Sequence, residues 1–217
     1  MGRGFLPDLA QAEWKHIFSA MLGGVIFNAA NILFVAAIAL AGMAVAFPVG
    51  AGFGLILGVS VNYIATPVGD ACLLFGGVAL IAAAILLSAT AYRRLSRSQS
   101  KVSAKGILLT LAAGVLFGFF YRFIAESMYA DFRLPEAGKL GPYSAVVCFG
   151  VGVLLSNVVF NTLLMKKPVQ GKPLRYSDYF KGNGKDHTMG LLGGIIWGAG
   201  LVLSILSAGE AGFAISF

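Results

Sequence analysis

The sequence predicts an all-α, polytopic membrane protein with six transmembrane helices that form the middle of an inverted five-plus-five helix repeat. Three observations predict it. The chain is 58% hydrophobic and only 12% charged, whereas soluble domains carry about 25% charged residues. It contains charge-free apolar runs of about 20 residues, the length that crosses a bilayer as a helix. These runs do not alternate as the strands of a membrane barrel must. Finally, one stretch occurs twice. Residues 21–47 read MLGGVIFNAANILFVAAIALAGMAVAF, and residues 191–217 read LLGGIIWGAGLVLSILSAGEAGFAISF. They align without a gap at an offset of 170, with ten of 27 positions identical, among them Gly23/Gly193, Gly24/Gly194, Ala29/Ala199, Gly42/Gly212 and Phe47/Phe217. The same offset pairs Asp8 with Asp178 and Lys15 with Lys185 outside the apolar run. Polar matches in register are not a product of composition, so the stretch is read as an internal repeat.

Taken in order, residues 1–17 form a polar lead-in. Six apolar spans follow, at about 18–40, 44–64, 71–92, 106–125, 143–165 and 188–208, read from run length and breaker residues. The first two are separated only by Ala41, Gly42 and Met43, so they form an antiparallel hairpin. Pro67 and Gly69 break the chain between the second and third. Glycines at 50, 54 and 58 form a double GxxxG, repeated at 114/118 and 194/198, and such spacing lets helices approach closely. Cys72 and Cys148 lie in apolar runs and read as buried small residues.

Lys and Arg orient the spans. The linker 93–105 and the loop after the fifth span hold eleven of the sixteen basic residues. Alternation puts both on one side, read as cytoplasmic. The basic excess therefore belongs to membrane topology and not to nucleic-acid binding. The second copy lies five spans after the first, an odd step, so the two run oppositely through the membrane, a frequent plan of secondary transporters. Residues 18–92 then read as the last three helices of one unit. Residues 106–217 read as the first three of the next, with the start of a further helix. A complete protein of this plan has ten helices, two more at each end.

At this point the sequence resembles a known family. The stretch GGVIFNAANILFVAAIALAGMAVAFPVGAGFGLILGVSVNYI, followed by LLFGGVALIAAAILL, is similar to ureide permeases and related sugar-uptake branches of the drug/metabolite transporter superfamily. The later stretch GKPLRYSDYFKGNGKDHTMGLLGGIIWGAG is similar to a linker and eighth helix of that group. The resemblance implies ten helices in two inverted units around a central solute cavity. The six spans here would be the third to eighth. Asn31 keeps an asparagine of the family pattern, and Leu201 departs from it in the second copy.

Polar residues inside spans are costly in lipid unless they meet a partner or water, which makes them the site candidates. Asn28 and Asn31, three apart on the first span, are expected to share a face and to offer amides to a solute; helix–helix hydrogen bonding is the alternative use. Asn62 closes the second span. Arg122 and Glu126, four apart on the fourth, can pair along one face. Trp197 offers an aromatic face to a ring-shaped solute, and Glu126 and Glu210 are the proton-coupling candidates. Asn157 and Asn161 on the fifth span read as packing. No catalytic, metal-binding or cofactor-binding constellation is present in the sequence, so the chain is not read as an enzyme.

These observations imply a permease moving a small polar solute, such as a ureide, nucleobase or sugar, by alternating access. It would be integral to the inner or plasma membrane, with the bilayer and the solute as partners and a homodimer left open. The alternatives are a non-transporting membrane subunit or an inactive permease fragment.

Overall fold

The computed structural model describes residues 3–95 and 103–217. The described residues fold almost wholly as helices: α1 (Phe5–Gln11), α2 (Trp14–Ala41), α3 (Met43–Ala65), α4 (Ala71–Leu95), α5 (Ala104–Ser127), α6 (Pro142–Lys166), α7 (Tyr176–Phe180), α8 (Gly184–Ala211) and α9 (Phe213–Ser216). Six of them, α2 to α6 and α8, are long and apolar enough to cross a membrane. The predicted spans are all found, each extended by a few residues. Arg97, Lys101 and Ser98 of the basic linker lie outside the described residues.

The repeated stretch makes the same elements twice. Helices α2 and α8 are both 28 residues long and begin at positions 170 apart. Each ends on a glycine with positive φ, Gly42 at 81° and Gly212 at 84°, a conformation that costs glycine little and other residues much. Each glycine is followed by a new helix, at Met43 and at Phe213. In α3 the residues Phe47–Ala51 form a π-helical turn around Pro48. Proline lacks the N–H that a regular turn needs and crowds the carbonyl four residues back, so the turn widens.

Close glycine contacts set the packing. A Cβ placed on Gly24 would stand 2.2 Å from the carbonyl oxygen of Phe149, and one on Gly152 would stand 2.0 Å from that of Met21. Thus α2 and α6 cross backbone against backbone. Gly23 meets the carbonyl of Phe120 on α5 in the same way, at 3.0 Å. Helix α3 lies on α5 through Gly50, Gly54, Gly114 and Gly118, where a Cβ on Gly114 would be 2.8 Å from the Gly50 oxygen. This is the role expected of the first two glycine series. The third behaves differently: Gly194 and Gly198 face open space, as α8 is packed along its last turns and, before them, through the Trp197 ring on Phe27. Around the crossing, Phe27 collects the rings of Phe117, Phe120 and Phe149 at centroid distances of 5.1–5.7 Å. Cys148 is buried as expected, but Cys72 is exposed, because α4 turns most of its side chains outward.

The chain enters α2 and leaves α8 at the same end of the bundle. The Glu13 backbone N–H donates to the Gly138 carbonyl at 2.8 Å, and Arg133, in the same loop, pairs with Glu210 at the end of α8. The other end carries Gly42, the start of α5 and the end of α6. There a Cβ on Gly106 would lie 2.9 Å from the Ala41 side chain.

The crossing yields a stability prediction. In Gly24→Ala, a methyl group meets a carbonyl that belongs to a helix backbone and cannot turn away. Overpacking of this kind costs about 1–3 kcal/mol. Gly194→Ala adds the same methyl where nothing stands within 4 Å, and gains up to about 1 kcal/mol of helix propensity. Thermal unfolding in detergent is expected to show a clear fall in midpoint for the first variant and none for the second.

Candidate functional site

The residues before α2 form a folded part of the molecule, which the reading of 1–17 as a plain polar lead-in missed. Helix α1 docks on the loop between α5 and α6. Gln11 Nε2 donates to the Lys139 carbonyl at 2.8 Å, and Gln11 Oε1 accepts from the Gly138 N–H at 2.7 Å. Asp8 Oδ2 accepts from the Gly141 N–H at 2.7 Å. Arg3 donates to the Glu136 carbonyl at 2.9 Å. The loop itself is pinned by a bridge between Met128 and Leu140.

Under this cap lies a cavity of about 600 Å³ between α1, the α5–α6 loop and the end of α8. Arg3, Asp8, Asp131, Arg133 and Glu210 bring charge to its wall, and Phe5, Tyr129, Phe132 and Tyr143 bring aromatic surface. Asp8 is 2% exposed. Its Oδ1 is buried without a hydrogen bond, with Arg3 Nη1 4.0 Å away. Burial pushes the Tyr129 phenol above its ordinary range, and the charge of Asp8 pushes it further. Tyr129 thus keeps its proton and can act as a donor beside the carboxyl group of Asp8.

The structure places the residues proposed from sequence as follows. Asn28 and Asn31 do not act together. Asn28 is buried against α6, donating to Ser156 Oγ at 3.0 Å with Val153 O at 3.5 Å. Asn31 is exposed and lies on the side of α2 that carries Phe27, one turn nearer Gly42. Three residues turn a helix by most of a revolution but not all of it, which is enough to separate a buried amide from an open one.

Arg122 and Glu126 form no ion pair among the described residues: Glu126 is exposed and Arg122 is half-buried. Their order, cation before anion, is the weaker one along a helix. Glu210 falls within the last turn of α8 and not beyond it, and its partner is Arg133. Trp197, 45% exposed, stacks on Phe27 with centroids 4.5 Å apart and planes at 21°. Asn62 is buried, with Nδ2 donating to the Gly58 carbonyl at 2.8 Å and Oδ1 unpaired. Asn161 donates to Asn157 on the same helix at 3.0 Å.

Of these, only Glu210 borders the cavity. Sequence reading missed Arg3, Asp8 and Tyr129. The in-register match of Asp8 with Asp178 was the signal for Asp8. Asp178 uses its carboxylate locally, accepting from the Arg175 N–H at 2.9 Å at the start of α7. Asp8 uses the same carboxylate across 133 residues of chain.

Residues 2–103 match the model of the ureide permease family. The match covers just under half of the chain, and takes in α1 to α4. No curated protein and no solved structure matches the chain. With six membrane-length helices, the match makes this an integral membrane protein and supports a permease role.

The Asp8 contact gives a second prediction. Asp8→Ala leaves the Gly141 N–H without a partner in a buried place, at a cost of about 1–3 kcal/mol. Asp8→Asn retains an acceptor oxygen. The melting midpoint is expected to fall distinctly in the alanine variant and by less than half as much in the asparagine variant. Equal losses would mean that the charge, through Arg3, matters more than the hydrogen bond.

Proposed function

We propose that the chain is a secondary transporter that moves a small polar solute by alternating access, with a ureide or nucleobase favoured over a sugar. The observation that carries this reading is the match of residues 2–103 to the ureide permease family. The assignment to the wider drug/metabolite transporter superfamily, and the five-plus-five plan, belong to the same proposal. The opposite directions of α2 and α8 fit such a plan, in which the two copies rock against one another about the membrane midplane. The charged cavity beside Asp8 and Glu210 is the outer vestibule. From there the solute passes along α2, α3, α5 and α8. Asn31, Asn62, Arg122 and Trp197 are its proposed contacts, and Asn28 belongs to the scaffold that holds α2 on α6. Glu126 and Glu210 are the groups for proton coupling. The basic loop after α6 faces the cytoplasm.

A second reading is a non-transporting membrane subunit. It is favoured by the apolar faces of α4 and α8, where Leu73, Leu80, Ile195 and Ile196 are all exposed.

Uptake of radiolabelled allantoin, uracil and glucose by cells expressing the chain separates the two. Saturable uptake of allantoin or uracil above background is expected, and none of the three entering would favour the subunit. Asn31→Ala is expected to raise KM several-fold to tenfold, the loss of one hydrogen bond of about 0.5–1.5 kcal/mol, with the melting midpoint unchanged. In intact cells, Lys172→Cys is expected to resist an impermeant thiol reagent until the membrane is opened. Labelling before that would reverse the topology.

A further inference from the structure

The two copies of the repeat differ most usefully at three positions. Phe34, Ala37 and Ala46 of the first copy correspond to Ser204, Ser207 and Ser216 of the second. In the first copy these side chains are buried and close an apolar plug: Phe34 packs edge-on against Phe47 and Phe117 and fills the space over Gly50. In the second copy the three serines bond to one another. Ser204 donates to the Ser216 carbonyl, Ser207 donates to the Ser204 carbonyl at 2.7 Å, and Ser207 Oγ meets Ser216 Oγ at 2.9 Å.

Two buried polar side chains on the helices that pack against this end of the chain have unpaired atoms. Tyr121 on α5 and Asn62 on α3 are each 1% exposed. Tyr121 Oη and Asn62 Oδ1 make no hydrogen bond of normal geometry, and the polar neighbour of Tyr121 is the hydroxyl of Ser204. Tyr121 borders the ring of Phe217, and Asn62 lies one helical turn from Gly58, which the same ring covers. The ring stands edge-on to Tyr121 with centroids 5.6 Å apart. It also lies so close to Gly58 that a Cβ there would be 2.1 Å from it, and the Gly58 carbonyl is the group that Asn62 Nδ2 holds. An unpaired polar group in a buried place is costly. Two of them around one ring mark a place that is satisfied in another state.

We infer that Asn62 and Tyr121 form a solute-binding pair, covered by Phe217 in this arrangement. This rests on the permease reading and extends it to a residue, Tyr121, that sequence reasoning passed over. The chemistry of the ligand follows from the two free atoms. Asn62 Oδ1 is an acceptor and calls for an N–H. Tyr121 Oη offers a proton and calls for a carbonyl oxygen. A neutral amide or ureido edge presents both side by side. Neither atom is charged, so a carboxylate gains no ion pair there. Helix α9 carries Ser216 and leads directly to Phe217. It starts at Gly212, whose positive φ gives a pivot about which the ring can leave.

The test uses the purified full chain in detergent, with allantoin as the neutral ureido probe, calorimetric binding and thermal melting, beside the uptake measurement in cells. Tyr121→Phe keeps the ring and removes only the hydroxyl. Asn62→Leu keeps the volume and removes the acceptor. Each is expected to weaken allantoin binding at least fivefold without lowering the melting midpoint. If either variant instead lowers the midpoint and leaves affinity intact, its polar group serves packing or a structural water, and the pair is overturned. Absence of allantoin binding to the unsubstituted chain overturns it too. Binding without uptake leaves the pair standing and overturns the transport reading, so the two failures are distinct.

Discussion

The crossing of α2 and α6 at Gly24 and Gly152 is the constraint on which the rest of the molecule depends. In lipid, apolar side chains gain nothing by leaving the solvent, so helices associate through close packing and hydrogen bonds. Backbones that touch, as these do, bring many atoms into contact at once. The crossing also brings the amide of Asn28 to the carbonyl and hydroxyl one turn along α6. One hydrogen-bonded side chain and two glycines thus fix the direction of α2. Helix α5 then has one place to lie, on Gly23, and α3 follows it through its own glycines.

This order of assembly explains why the polar residues divide as they do. The sides of α2 that meet α5 and α6 are filled by contact, and an asparagine there is used by the neighbouring helix. The remaining side faces α8, which is held only near its C-terminal end and at the stacked rings of Phe27 and Trp197. Asn31 sits on that side. Two amides three residues apart therefore have different surroundings, one buried against a neighbouring helix and one exposed.

Much of the fold was legible in the sequence because hydropathy in a membrane protein is close to a direct record of structure: backbone groups in lipid must be satisfied within the helix. Span number and the hairpin at Gly42 follow from that, and the GxxxG spacings marked α3 and α5 as helices with close neighbours without saying that they meet each other. The Gly24–Gly152 contact was not legible, since each glycine lacks a GxxxG partner on its own helix and finds its counterpart 128 residues away. The cap formed by α1 was hidden for a similar reason. A seven-residue segment with Pro7 and Asp8 has no periodic signal, and what folds it is the loop 128–141. For the site, single residues were found and pairings were not. Arg122 and Glu126 were joined by spacing alone, while Glu210 found Arg133 across 77 residues. Tyr121 looked like one more ring in an aromatic helix, and only its burial without a partner sets it apart.

The stack of Phe27 on Trp197 bears on how the two copies are related. These residues occupy equivalent positions, 170 apart. Under a two-fold rotation that exchanges the copies, a residue can meet its own equivalent only on the axis. A pure translation would instead set every equivalent pair the same distance apart. On the two-fold plan proposed above, rings 4.5 Å apart and 21° from parallel would put the axis at the middle of α2 and α8. The substitution of Phe27 by Trp197 is itself an asymmetry placed where symmetry is strictest. Two flat apolar faces can slide over each other with little change in contact, because ring stacking is tolerant of offset. A rocking motion of the copies would turn about this point, moving the polar serine hairpin at one end and the phenylalanine plug at the other by opposite amounts.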